Sequence, residues 1–115
     1  MRIAQDVIVR QGDFTLASTL EHFAMPNDLL GHGADKSTWA RRGLAAQNTI
    51  IEPGWRGFLT LALTNHGSEV ISIKAGTPIA QIIFHRLEAS AERSYAGKYQ
   101  DQENRPVEAI MGSAG

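Results

Sequence analysis

Residues 58–65, FLTLALTN, alternate strictly in polarity and follow directly on the turn-like EPGWRG of residues 52–57. Leu59, Leu61 and Leu63 make one clean apolar face, the pattern of a strand half-buried against a core. The opposite face carries Phe58, Thr60, Ala62 and Thr64, mostly small or able to hydrogen-bond. Such a strand packs on one side and offers the other to something different. The small residue in the middle of that second face, Ala62, is the one to explain.

The same period of two recurs on both sides of this stretch. Downstream, NHGS (65–68) turns, EVISI (69–73) alternates, AGTP (75–78) turns again, and PIAQIIFHRL (78–87) reads as a strongly buried strand. Upstream, IAQDVIV (3–9) is β-rich, RQGD turns about Gly12, and FTLASTLE (14–21) alternates. Pro26 blocks any helix through AMPNDLL, so a short extended run leads to Gly31 and Gly33. One segment changes period. STWARRGL offers Ser37 as an N-cap, a turn or two of helix from Thr38 to Arg42, and Gly43 as its left-handed stop. AAQNTIIEPGW (45–55) then returns to extended structure and turns at Pro53-Gly54. About seven closely spaced strand candidates with one short helix predict an all-β sandwich or barrel.

Composition bounds the rest. The chain has 115 residues, 43% of them hydrophobic and 20% charged, which fits one globular domain with a thin core. Association with further copies is expected to add stability at this size. The 11 basic and 12 acidic residues leave a net charge of −1, so no nucleic-acid partner is expected. With no cysteine, neither a disulfide framework nor a thiolate metal site can form. The opening MRIAQDVIVR is too short and polar for a signal peptide, and no run is long enough to cross a bilayer. The expectation is a soluble cytoplasmic chain with no membrane partner. The four histidines (His22, His32, His66, His85) show no ligand spacing and read as surface or structural. After Leu87 the apolar pattern fades. The chain therefore divides into a β core over 1–88, a polar segment with two tyrosines over 89–105, and a flexible tail over 106–115.

Chemistry gathers first in DKSTWAR (35–41). A helix start exposes unpaired N–H groups, and Lys36, the Ser37 and Thr38 hydroxyls and Arg41 lie within a turn of them, an anion site in outline or else a capped surface helix. Glu52, at the mouth of a turn, suits either a ligand hydroxyl or a turn cap. Trp55 offers a stacking surface but is as readily core. Gln81 interrupts an apolar strand and needs a partner, either a ligand or a neighbouring strand's backbone.

Taken together, FTLASTLEHFAMPNDL, DKSTWARRGL, NTIIEPGWRGFLTLALTN, AGTPIAQIIF and YAGKYQDQ resemble, in order, the dCTP deaminase branch of the dUTPase superfamily. The resemblance covers most of residues 14–102. It implies a distorted jelly-roll β-barrel that assembles as a homotrimer with nucleotide sites at the subunit interfaces. On that resemblance Lys36, where the family usually has arginine, would hold the triphosphate with Ser37, Thr38 and Arg41. The backbone around Asn48 and Thr49 would face the base, Trp55 is counted among the nucleotide-binding residues, and Glu52, replacing a commoner aspartate, would meet the deoxyribose. Gln81 would reach the phosphates, and Tyr95, Lys98 and Gln102 would fold over them as a lid, giving the segment over 89–105 its purpose. Magnesium would sit on the phosphates, held by phosphate oxygens and water and by no protein ligand directly.

The resemblance also explains Ala62. The family's strand centre reads like LTLEL, and its glutamate is the general acid/base that takes a proton from water attacking C4 of cytosine and returns it as ammonia leaves. Here that position is alanine. The expectation is a dCTP deaminase-type protein (dCTP + H2O to dUTP + NH3) that is inactive or strongly impaired. Two alternatives stand beside it. One is a dUTP diphosphatase or bifunctional enzyme with Glu52 as the water-activating acid, to which GLAA (43–46) gives some colour. The other is a silent protein that binds or sequesters dCTP, dUTP or dTTP.

Overall fold

The structure, a computed structural model, describes residues 1–47, 49–89 and 97–111. In chain order its elements are β1 (Val7–Val9), β2 (Phe14–Ala24), β3 (Leu29–Asp35), α1 (Ser37–Ala40), β4 (Leu44–Ala46), β5 (Ile50–Ile51), β6 (Arg56–Asn65), β7 (Ile71–Ile73) and β8 (Ala80–Arg86). The strands form sheets ordered β2-β6-β4, β5-β3-β8 and β1-β7, with every strand pair antiparallel. The all-β expectation with one short helix holds. Among the described residues no helix is long and apolar enough to cross a membrane.

The alternation of β6 is borne out residue by residue. Leu59, Leu61 and Leu63 are buried, while Phe58, Thr60, Ala62 and Thr64 are only half so. The leucines join Ile3, Val9, Ile51, Ile71, Ile73 and Ile79 in one core. The inward face of β6 ends on a polar residue, Asn65, which is 1% exposed. Its Nδ2 donates to the Val9 carbonyl (2.9 Å) and the Glu69 carbonyl (2.7 Å), and its Oδ1 accepts from the Gly67 amide (2.9 Å). One buried amide thus closes the β6–β7 turn and ties the end of β1 to it.

β2 pairs with β6 from Phe14 opposite Thr64 to Ala24 opposite Arg56, but the register shifts between Ser18 and His22. Inside that bulge the Leu59 amide donates to Thr19 Oγ1 (3.0 Å), and the Leu20 amide donates to the Arg2 carbonyl (2.8 Å). A threonine hydroxyl and the N-terminal residues satisfy what the broken ladder leaves open.

Two local expectations need correction. The helix is a single turn, Ser37–Ala40, whose capping position is Lys36 with extended backbone and no side-chain cap bond; Ser37 is its first residue. The acidic side chain beside it is spent elsewhere, for Asp35 Oδ1 accepts from the Ala46 amide (2.7 Å) and fixes β4. Gly43 does stop the turn with φ +97, and a Cβ there would collide with the Gly67 backbone nitrogen. The second correction concerns β8, which is an edge strand and not a strongly buried one. Ala80 is buried, but Ile83 is 48% and Phe84 52% exposed. Register places Ile83 and Ile50 on either side of His32, so a largely apolar row lies on the outer face of β5-β3-β8, and about half of each isoleucine is left uncovered by the described residues.

Asn65→Ala is expected to lower the unfolding free energy by about 2–4 kcal/mol, because it strands buried carbonyls and an amide. Thr64→Ala on the outer face should cost under about 1 kcal/mol. Urea denaturation of the two variants measures both.

Candidate functional site

A cavity of about 260 Å³ lies between the β5–β6 turn and the C-terminal segment. Thr49, Glu52, Thr60, Tyr99 and Gln102 supply its polar wall, and Ile50, Ile51, Trp55, Leu59 and Val107 its apolar one. The turn is built locally: Gly54 takes φ +83, and the Trp55 amide donates to the Glu52 carbonyl at 3.1 Å. Met25 anchors it, donating to the Trp55 carbonyl (2.9 Å) and accepting from the Gly54 amide (3.1 Å). Trp55 itself is a core residue, 5% exposed and tilted against Phe23, with only its edge reaching the cavity. Its Nε1 donates to the Tyr99 carbonyl at 2.7 Å.

The C-terminal segment closes the cavity by docking on β6. The Asp101 amide donates to the Arg56 carbonyl (2.7 Å), and the Phe58 amide to the Gln102 carbonyl (3.0 Å). Gln102 Nε2 donates to the Phe58 carbonyl (3.1 Å), so its amide is engaged with the strand. Arg56 grips Asp101 through two bonds of 3.0 Å. Further along, the Val107 amide donates to Thr60 Oγ1 (3.0 Å). The hydrogen bonds from Arg56 hold the Asp101 carboxyl below its ordinary value, helped by the Arg56 and His22 charges, and the same bond raises Arg56.

A second cluster surrounds α1. Lys36, Ser37, Thr38 and Arg41 are all exposed, and none of them forms an ion pair among the described residues. The helix is fixed from below by Trp39, whose Nε1 donates to the Pro78 carbonyl (3.0 Å) while the Arg42 guanidinium lies over its ring at 4.9 Å. Gln81 Nε2 donates to the Asp35 carbonyl at 3.0 Å. Of the two partners open to Gln81 in the sequence, the neighbouring strand's backbone is the one it has, and this bond brings Gln81 beside the helix start. Arg41 lines a separate, shallow depression of about 390 Å³ together with Arg42, His66 and Glu69.

The sequence-predicted residues therefore fall into two groups. Thr49, Glu52, Trp55 and Gln102 meet at the cavity, whereas Lys36, Ser37, Thr38, Arg41 and Gln81 are absent from its walls. Lys98 lies with its ammonium 5.7 Å from the Tyr99 ring. Asn48 and Tyr95 lie outside the described residues. Ala62 is half-buried opposite Leu16, and its carbonyl accepts from the Gln47 amide (2.9 Å). The cavity reaches only as far along that face as Thr60, and Ala62 is not on its wall. Thr60 and Tyr99 are cavity residues that the sequence reading did not single out. Strand alternation puts Thr60 on the open face, but nothing local marks Tyr99.

This architecture is the dUTPase-like fold. The EIAV dUTPase superposes with a TM-score of 0.69 at 22% identity, covering 85% of this chain and 82% of that one. The dUTPase from phage phi11 of S. aureus gives 0.70 at 13% identity, covering 83% and 79%. Within that fold, the chain belongs to the dCTP deaminase-like family, whose pattern matches residues 1–87. It is 40% identical to a dCTP deaminase of Campylobacter fetus over 90% of this chain, and 41% identical to that of Thermococcus kodakarensis over 76%. It spans 58% and 56% of the length of those two relatives.

The lowered Asp101 value fixes the sign of a pH effect. The Arg56–Asp101 pair contributes in full above the ordinary aspartate value of 3.8 and is lost as pH falls through the lowered one. Amide exchange of the docked segment should accelerate in that acid range, and Asp101→Asn should remove the step.

Proposed function

We propose that this chain is a dCTP deaminase-type protein of the cytoplasm. It binds a pyrimidine deoxynucleoside triphosphate, but the step from dCTP and water to dUTP and ammonia is absent or strongly impaired. Position 62 carries the proposal. Deamination at C4 needs a group that takes a proton from the attacking water and delivers it to the leaving amine. The residues next to Ala62 on its face are Thr60 and Thr64, with Leu16 across one ladder and Gln47 beside it on the other edge. None of them can hold a proton in that way near neutrality, and losing a positioned general acid/base costs about 10²–10⁴-fold in rate.

Binding chemistry is retained. Thr49, Glu52 and the edge of Trp55 give a base and sugar a half-apolar cavity with a few polar groups. Lys36, Ser37, Arg41 and Gln81 supply cations and donors for phosphates, yet they stand apart from that cavity in one chain. A second copy would bring its α1 to the first copy's cavity, and the uncovered row of Ile50, His32 and Ile83 offers apolar surface for such a homotrimer. Among the described residues no three of His, Cys, Asp or Glu converge on a metal position. Magnesium would be held by triphosphate oxygens and water, where it would offset phosphate charge.

A second reading, dUTP diphosphatase, is favoured by one observation. Among the described residues lining the cavity, Glu52 is the only carboxylate. It would activate water for attack on the phosphate chain, releasing pyrophosphate from dUTP.

Titration calorimetry with dCTP, dUTP and dTTP in magnesium is expected to show saturable binding. The unmodified chain should release no ammonia from dCTP, and Ala62→Glu should raise release by about 10²-fold or more. A folded, ligand-binding Ala62→Glu chain without turnover would overturn the deaminase reading. Pyrophosphate release from dUTP that disappears in Glu52→Gln would establish the second.

A further inference from the structure

We infer that Trp39 is a positioning residue for phosphate: its indole tethers the α1 turn to the start of β8 and keeps Lys36, Ser37 and Arg41 arranged before a triphosphate arrives. That those three meet phosphate rests on the nucleotide reading above; the tether does not.

The run from Lys36 to Arg42 is poorly equipped to hold its own shape. A single helical turn closes few bonds for the backbone freedom it gives up, so a turn of this length is unstable alone. α1 has no side-chain cap at its start, no acidic residue in its first turn and no buried residue. Lys36, Arg41 and Arg42 crowd three cations onto it, and none of them forms an ion pair among the described residues. Asp35, the nearest acid in the sequence, has committed Oδ1 to the Ala46 amide. Length and charge both work against the turn.

What opposes them comes from residues 78–81. Trp39 is half-buried against the core, and its Nε1 donates to the Pro78 carbonyl at 3.0 Å. Gln81 Nε2 donates to the Asp35 carbonyl at 3.0 Å, so the same stretch also holds the entrance to the turn. The Trp39 ring takes the Arg42 guanidinium on its face at 4.9 Å, which eases the crowding of charge. Among the described residues, no other side chain of Ser37–Ala40 forms a hydrogen bond.

Groups fixed during folding need no ordering when a ligand arrives, and that saving appears as affinity. It applies only to the part of the ligand that α1 holds. The cavity offered to base and sugar has none of residues 35–42 in its wall. A triphosphate should therefore feel a change at Trp39, and a monophosphate far less.

The test compares Trp39→Phe, which keeps an aromatic face for Arg42 but lacks the donor, with Trp39→Leu, which lacks both. Each is titrated calorimetrically with dCTP and with dCMP in magnesium. Trp39→Phe should raise the Kd for dCTP about fivefold to tenfold, the loss of one hydrogen bond, and that for dCMP less than about twofold. Trp39→Leu should widen the gap. Hydrogen exchange on the ligand-free chain reads the tether itself. The Arg41 amide, which donates to the Ser37 carbonyl, should exchange faster in both variants while the Leu61 amide stays protected. Unchanged Arg41 exchange in both variants overturns the tether. Faster exchange with an unchanged ratio of dCTP to dCMP affinity marks a merely structural tryptophan and overturns the positioning role. If the unmodified chain binds none of dCTP, dUTP and dTTP, the nucleotide reading and the phosphate role fall together, and exchange alone decides the tether.

Discussion

β6 must be served on two faces and two edges at once, and the rest of the molecule is arranged around that requirement. Its leucine face is the floor of the core, its first edge is taken by β2, and its second is divided between β4 and the C-terminal segment. A ten-residue strand with so many obligations tolerates little slip, since a one-residue shift would exchange every leucine for a threonine or alanine. Asn65 sets the far end by binding β1 and the following turn, and the bulge of β2 takes up the mismatch at the near end. Burial therefore fixes the register, and polar groups mark where the ladder starts and stops.

What could be read beforehand follows from the range of the forces involved. The β6 alternation, the Pro53-Gly54 turn and the left-handed Gly43 are governed by near neighbours, and each was legible. The N-cap was misplaced because a preference for serine at helix starts cannot foresee that the single turn begins one residue early. PIAQIIFHRL was read as buried because apolarity shows that a residue seeks cover, without showing whether the cover comes from its own chain. The docking of the C-terminal segment left no local mark, since Arg56 and Asp101 are separated by 45 positions. A run with no core face can still be held by main-chain bonds, and composition says nothing about those.

The candidate site carries the same lesson into chemistry. Trp55 is at once a core side chain and the donor that holds Tyr99, so stability and pocket shape are coupled there. The face bearing Ala62 is intact as a strand, because backbone pairing does not depend on which small side chain stands at its middle. Family membership rests on the fold and the sequence pattern, and a fold by itself carries no activity.

The docking of the C-terminal segment has a consequence for how sequences of this kind drift. The bonds from the Tyr99 carbonyl, the Asp101 amide and the Gln102 carbonyl use atoms that every residue type but proline supplies in full. Substitutions at these positions therefore leave the main-chain bonds in place, while they give up side-chain bonds such as those of Gln100, Asp101 and Gln102. The constraint is displaced onto β6, where position 57 must remain glycine for as long as a tail is threaded past it. Loss of the tail and loss of that glycine should then travel together through a lineage, linking two parts of the chain that share no side-chain contact at that point.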